Sequence, residues 1–187
     1  MLDILGHQNA ERILQDSWVL FQRKGYRGVS VDEICDICEI TKPTLYYYFK
    51  NKETLFVEVL VRRIEGFHQA IELEGEIEDI LVRVARLTFD SFETDYSFLV
   101  KDLAHIKNPE NVYLIKESFS NDFYKPVTNL MQRAVDQGLL LGDPKFLTLL
   151  YMGIIKSFIA REDDFGIDHQ QLAIQLVAFF IKGTNPT

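Results

Sequence analysis

Residues 44–53 read TLYYYFKNKE, and this stretch decides how the rest of the chain is interpreted. Just before it, Thr41 is suited to cap a helix start, and Pro43 fits a first turn, where a missing N–H costs nothing. We therefore expect a short helix from Thr41 to about Tyr48. Three consecutive residues span about 200° of a helix circumference, so the tyrosines that end this helix cannot all be buried on one side.

A second short helix is predicted directly before this one. Ser30 and Glu33 have the spacing of a capping box, which predicts a helix from Ser30 to about Cys38. Two short helices joined by a three- to four-residue turn are typical of a helix-turn-helix motif. In that motif the second helix lies in the major groove of DNA, with its N-terminal residues at the base edges.

The side chains of the second helix suit contact with DNA. They offer two hydroxyls, one cation and two aromatic rings with hydrogen-bonding tips, from Thr41, Thr44, Lys42, Tyr46 and Tyr47. Lys52 follows at the start of the next predicted helix. An ammonium and free backbone amides can together bind a phosphate there.

The whole chain of 187 residues is predicted to be all-α, with about nine helices. Its 10 glycines and 5 prolines sit between helical stretches, and no sustained alternation indicates a half-buried strand. An apolar content of 47% excludes a disordered chain. We expect a helix-turn-helix DNA-binding domain at residues 1–51 and a second helical domain at residues 52–187.

The charge balance excludes a general nucleic-acid-coating protein. The net charge is −8, and residues 1–60 hold seven basic against nine acidic side chains. Binding to DNA must therefore depend on a few well-placed cations. The chain shows no signal peptide and no apolar run long enough for a membrane span, and it has two cysteines, so a cytoplasmic location is expected.

Enzymatic and metal-binding functions find no support in the motifs. No serine-hydrolase, zinc-protease, P-loop or dinucleotide fingerprint occurs, so we expect neither catalysis nor a cofactor. Cys35 and Cys38 have C-x-x-C spacing, but no second ligand pair follows, which argues against a metal. Packing of two buried thiols is favoured. Redox control of DNA binding remains an alternative, as does a helical ligand-binding protein that does not bind DNA.

The stretch from Ile13 to Leu60 resembles the N-terminal DNA-binding domain of TetR-family transcriptional repressors. The resemblance rests on the decapeptide quoted above, and it covers about a quarter of the chain. Further matching pieces are Leu20-Phe21, Lys24-Gly25-Tyr26, Gly28-Val29-Ser30-Val31, Ile34 and Ile40-Thr41-Lys42.

The resemblance implies a homodimer that binds a palindromic operator and is released from it by a small, largely apolar effector. Carried over by position, the DNA contacts are expected at Ser30, Val31, Thr41, Lys42, Pro43, Thr44, Tyr46, Tyr47 and Lys52. The rest of the chain is implied to bind the effector and to form the dimer.

The two further sites are expected in the second domain by analogy with the family. The effector pocket is expected among Phe89, Phe92, Tyr96, His105, Tyr113, Phe119, Phe123 and Met131. The last two helices are expected to form the dimer interface, through Leu150, Gly153, Ile154, Ser157, Ile174, Val177, Phe180 and Ile181.

Two places depart from the pattern of the family. Glu39 stands in the turn before the second helix, where the family usually has glycine. A left-handed backbone at Glu39 would cost on the order of 1 kcal/mol. In the first helix, Asp16-Ser17 replaces a pair of small residues, so Asp16 must find a partner or solvent.

Overall fold

The computed structural model describes residues 2–92 and 101–184. In this part of the chain every regular element is helical, which confirms the all-α prediction. The elements are α1 (Leu2–Gly28), α2 (Val31–Ile37), α3 (Lys42–Tyr48), α4 (Lys52–Glu72), α5 (Ile77–Ser91), α6 (Pro109–Ser118), a π-helical segment (Phe119–Tyr124), α7 (Lys125–Asp136), α8 (Pro144–Ser157), α9 (Glu162–Phe165) and α10 (His169–Thr184).

The helix ends follow local sequence signals. α1 is interrupted at Gly25, whose φ of 67° and ψ of 168° break the helical path. The Asn51 side chain accepts a hydrogen bond from the Thr54 N–H at 2.9 Å and so caps α4. Asp168 caps α10 in the same way, through the Gln171 N–H at 2.7 Å.

The described residues form two compact units. The first comprises residues 1–63 and 97–117, and the second comprises residues 64–96 and 118–187, within the described ranges. The predicted DNA-binding domain of residues 1–51 lies within the first unit, and its boundary stays a prediction. The first twelve residues of α4 also belong to the first unit.

The first unit is held together by apolar side chains from α1 to α4. Phe21 and Phe56 are fully buried, and their rings meet edge to face with centroids 4.9 Å apart. Leu45 and Phe49 are 1% and 2% exposed, which confirms that this side of α3 faces the core. The opposite side of α3 is thereby fixed toward solvent.

The second unit has its own core, in which α5 packs against α10 and α7 against α8. Tyr151 is buried in this core, and its hydroxyl donates a hydrogen bond to the Leu81 carbonyl at 2.6 Å. The aromatic ring of Tyr151 lies 5.6 Å from that of Phe180. A buried hydroxyl with a good acceptor avoids the cost of an unpaired polar group.

Among the described helices none is both long and apolar enough to cross a membrane.

Candidate nucleic-acid interface

The capping box at the start of α2 is present as predicted. Ser30 Oγ accepts from the Glu33 N–H at 3.2 Å, and the Ser30 N–H donates to Glu33 Oε2 at 2.8 Å. The Glu33 carboxylate also forms an ion pair with Lys24. Hydrogen bonds from Lys24 and from the Ser30 backbone and hydroxyl lower the pKa of Glu33 to about 2. Ser30 is exposed and Val31 is half-buried at this helix start.

The turn between the two helices has the left-handed residue that the sequence indicated. Glu39 has a φ of 51°, a region that residues with a side chain seldom adopt. Thr41 then caps α3, because its hydroxyl accepts from the Thr44 N–H at 3.4 Å. Its hydroxyl also lies 2.9 Å from that of Thr44, so these two groups form a pair at the helix start.

The solvent-facing side of α3 carries the predicted DNA contacts. Tyr46 and Tyr47 are 47% and 82% exposed, whereas Tyr48 is half-buried. Thr41, Lys42 and Pro43 are also exposed, and Thr44 is half-buried. The structure therefore brings the α3 members of the predicted set together on one accessible surface. Their contact with DNA stays a prediction.

The Lys42 ammonium forms an exposed ion pair with the Asp32 carboxylate. Its ammonium lies 2.6 Å from Asp32 Oδ1, and both side chains are at least half exposed. The hydrogen bond that Lys42 donates to Asp32 raises the pKa of Lys42, so the ammonium stays charged. Exposed ion pairs contribute between about 0 and 1 kcal/mol, so a DNA phosphate can replace the carboxylate at little cost.

Lys52 lies in a more structured position than the sequence indicated. Its ammonium donates to the carbonyls of Tyr26 and Val29, both at 2.7 Å, and lies 4.4 Å from the centre of the Tyr26 ring. Burial lowers the pKa of Lys52, although the negative charge of Asp102 acts to raise it. Two of its three N–H donors are thus used within the protein, and one remains for a phosphate.

Sequence reasoning missed the acids that attach a later segment to α1 and α4. Asp102, which is buried, accepts from the Tyr26 N–H at 2.7 Å. Glu53 accepts from the backbone N–H groups of Lys107 and Asn108 at 3.0 Å each and from the Asn111 amide at 2.8 Å.

These hydrogen bonds hold Glu53 as a carboxylate. Burial raises the pKa of Glu53, but the three hydrogen bonds outweigh it and lower the pKa. Glu53 belongs to the quoted decapeptide, and this position is the local signal that could have drawn attention to it. Nothing local marks Asp102, because its partner is 76 residues away in the sequence.

The two cysteines have the environment of packing residues. Cys35 and Cys38 are 6% and 0% exposed and form no disulfide. Burial raises the pKa of both thiols, to about 11 for Cys38. Because the thiolate is the reactive form, a raised pKa disfavours reaction of either thiol near neutral pH. No group of three or more metal-binding side chains occurs among the described residues.

The predicted effector residues divide between the two units. Phe89 and Met131 are buried in the core of the second unit, Phe92 and Phe123 are half-buried there, and Phe119 is 41% exposed. The Phe119 and Phe123 rings pack 5.5 Å apart along the π-helical segment. His105 and Tyr113 instead lie exposed on the first unit, and Tyr96 lies outside the described residues. The pocket itself stays a prediction.

The structure corrects two members of the predicted dimer interface. Val177 and Phe180 are 0% and 2% exposed because they fill the core of their own unit, so they have no surface to offer a second subunit. Exposed or half-buried positions remain at Leu150, Gly153, Ile154, Ser157, Ile174 and Ile181.

Comparison with known proteins identifies the first unit. Residues 13–59 match the profile of the bacterial regulatory proteins of the tetR family. The chain is 25% identical over 168 residues to the HTH-type transcriptional regulator YerO of Bacillus subtilis, covering 82% of this chain and 55% of YerO. It is 29% identical over 91 residues to the transcriptional repressor NemR of Escherichia coli, covering 46% of each chain. The chain spans about half the length of these relatives.

The fold of the whole chain has solved counterparts. The crystal structure of AibR superposes with a TM-score of 0.70 and 21% identity, covering 91% of this chain and 97% of AibR. At that identity the likeness concerns the fold. The two findings agree: residues 13–59 match the helix-turn-helix profile of the tetR family of bacterial regulatory proteins, and the chain shares the all-α fold of AibR.

Proposed function

We propose that this protein is a sequence-specific DNA-binding transcription repressor, which acts as a homodimer in the cytoplasm and responds to a small, largely apolar effector. The observation that carries the proposal is the exposed face of α3. Tyr47 leaves 82% of its surface in solvent, next to the exposed Tyr46. Large aromatic side chains that are grouped on a surface usually mark a binding site.

The supporting side of α3 makes this face rigid. Leu45 and Phe49 are buried against the rest of the first unit, so rotation of the helix would expose them to water. The N-terminal turn presents the Thr41 hydroxyl and the Lys42 ammonium beside the two tyrosines. Hydroxyls and cations position a protein on phosphates, and the side chains that follow can read base edges.

Dimerisation supplies the affinity that one short helix lacks. α8 and α10 expose the large apolar side chains Phe146, Leu149, Leu150, Ile174 and Phe179 in the second unit. For a two-fold dimer to bind DNA through both copies of α3, these helices must reach successive major grooves, about 34–36 Å apart. A palindromic operator follows from that symmetry.

The effector proposal takes support from a protein of the same fold. AibR was crystallised in complex with isovaleryl coenzyme A and operator DNA. In our chain the aromatic residues Phe119 and Phe123 lie on a π-helical segment, a geometry found often at functional sites. Effector binding would favour a spacing of the two α3 helices that no longer fits the operator.

The experiment selects bound sequences from a random DNA pool and measures their affinity by fluorescence anisotropy at two salt concentrations. We expect a palindromic site, lost in Tyr47→Ala while circular dichroism stays unchanged. Tyr113→Ala is the matched control, because Tyr113 is also an exposed tyrosine of the first unit, lies on α6 and is not among the predicted DNA contacts. Weak binding without sequence preference, or equal loss in both variants, would refute the proposal.

Isovaleryl coenzyme A and free coenzyme A are then added to the complex as first probes. Release of DNA by the thioester alone supports an acyl-thioester effector. Unchanged DNA affinity counts against that effector class and leaves the DNA-binding part of the proposal standing.

A further inference from the structure

An open cleft of about 480 Å³ lies in the first unit, directly after α3. Three lysines line it, Lys50, Lys52 and Lys107, together with three asparagines and Glu53. Lys50 and Lys52 come from the junction of α3 and α4. Lys107 comes from the segment that precedes α6, outside the helix-turn-helix motif.

The charge of the cleft is positive, although the first 60 residues are acidic overall. Three lysines and one glutamate give the lining a formal charge of +2. The single carboxylate is occupied, because Glu53 accepts hydrogen bonds from Lys107 N–H, Asn108 N–H and the Asn111 amide. The protein's own donors thus occupy the Glu53 carboxylate, and the three lysines leave the lining with a net positive charge that attracts an anion.

The two outer lysines are available to such an anion. Neither Lys50 nor Lys107 forms an ion pair within 4.0 Å with a described residue, and both side chains are exposed. Lys107 is nevertheless fixed in place, since its own N–H is bonded to Glu53 at 3.0 Å. A positioned backbone with an exposed ammonium matches the way lysines contact phosphates as point charges.

The cleft also lies close to the DNA-facing side of α3. Lys50 follows Tyr47 by three residues, which spans at most about 11 Å of chain. A DNA strand carries one phosphate per about 3.4 Å of helix axis. A strand whose bases meet Tyr47 thus has phosphates within reach of Lys50, and the cleft continues from Lys50 to Lys107.

We propose that this cleft binds a backbone phosphate of the operator, so that Lys107 is a DNA contact contributed from outside the helix-turn-helix motif. This inference rests on the proposed DNA-binding function. The ligand is a phosphodiester, and the contact carries no base information. Glu53 is the positioning residue, because its carboxylate holds the segment that bears Lys107.

The test compares the salt dependence of DNA binding in the full chain and in Lys107→Gln. Each phosphate contact contributes about 0.9 to the slope of log K against log salt concentration. We expect Lys107→Gln to reduce the magnitude of that slope by about 0.9 per bound protomer, equally for the selected duplex and for a random-sequence duplex. Lys107→Arg should restore the slope.

Lys116→Gln is the matched control, since Lys116 is an exposed lysine on α6 in the same unit and does not line the cleft. An unchanged slope in Lys107→Gln, or an equal decrease in Lys107→Gln and Lys116→Gln, would overturn the inference. So would binding of inorganic phosphate that requires Lys107 while the DNA slope stays unchanged. If the wild-type chain binds neither duplex, the proposed function fails, and this inference fails with it.

Discussion

At the scale of single residues, the left-handed backbone of Glu39 is a local cost inside the helix-turn-helix motif. Its φ of 51° is unfavourable for any residue with a Cβ atom and is readily adopted by glycine. We expect Glu39→Gly to raise the free energy of unfolding by about 0.5–1 kcal/mol relative to Glu39→Ala. Urea unfolding of the two variants measures this difference.

Glu39→Ala is the control because it removes the same carboxylate and keeps the Cβ atom. The comparison therefore isolates the backbone from the charge. Equal stability of the glycine and alanine variants would show that the backbone at Glu39 is not strained. Both variants should keep DNA affinity if the turn retains its shape, since Glu39 is not among the predicted contacts.

At the scale of an element, the start of α2 depends on the ionised Glu33 carboxylate. Its pKa of about 2 lies below the ordinary value of about 4.5, so the carboxylate stabilises the fold when charged. That stabilisation is complete above about pH 4.5 and is lost as the pH falls toward 2. We expect the stability advantage of the wild-type chain over Glu33→Gln to shrink steadily across this range.

The same titration in a Lys24→Gln background identifies the source of the shift. The hydrogen bond from Lys24 is the largest cause of the lowered pKa of Glu33, so its removal should weaken the pH dependence. Thermal unfolding between pH 3 and pH 6 is the measurement. A difference between wild type and Glu33→Gln that stays constant over that range would show that folding does not lower the pKa of Glu33.

At the scale of the whole molecule, the exposed apolar side chains of α8 and α10 predict the assembly. Leu150 is 36% exposed, so its replacement by aspartate leaves the core of the second unit closed. We expect Leu150→Asp to sediment as a monomer and to lose high-affinity operator binding, because an unpaired charge in an apolar interface is strongly unfavourable. Sedimentation velocity and anisotropy on the same samples test both parts.

Leu73→Asp provides the comparison for that variant. Leu73 is 58% exposed, follows α4 and lies outside α8 and α10. We expect the Leu73→Asp variant to remain dimeric and to bind DNA as the wild-type chain does. If Leu150→Asp also remains dimeric, another surface forms the assembly.

Much of the first unit could be predicted from the sequence, because its signals are local. The caps at Ser30, Thr41 and Asn51 each involve a donor and an acceptor three residues apart. The glycine at position 25 breaks α1 through its own backbone angles. The exposure of Tyr47 follows from the burial of Leu45 and Phe49 on the other side of a seven-residue helix.

The attachment of the segment before α6 could not be predicted in this way. Glu53 and Lys107 are 54 residues apart, and Asp102 and Tyr26 are 76 apart, so no spacing rule connects them. The hydrogen bonds of the Lys52 side chain could not be predicted from the sequence either. A lysine at a helix start is compatible with phosphate binding, but the carbonyls that occupy two of its donors come from the α1–α2 region.

The sequence by itself determined that the described chain is helical, where α2, α3 and α4 start, and that α3 leaves tyrosines exposed. Those properties depend on interactions within one or two helical turns. Tertiary structure alone decided that Val177 and Phe180 fill a core instead of an interface, and that Lys107 lies in a basic cleft beside α3. An apolar stripe on a helix indicates that this face is buried, but only the tertiary packing determines which residues bury it.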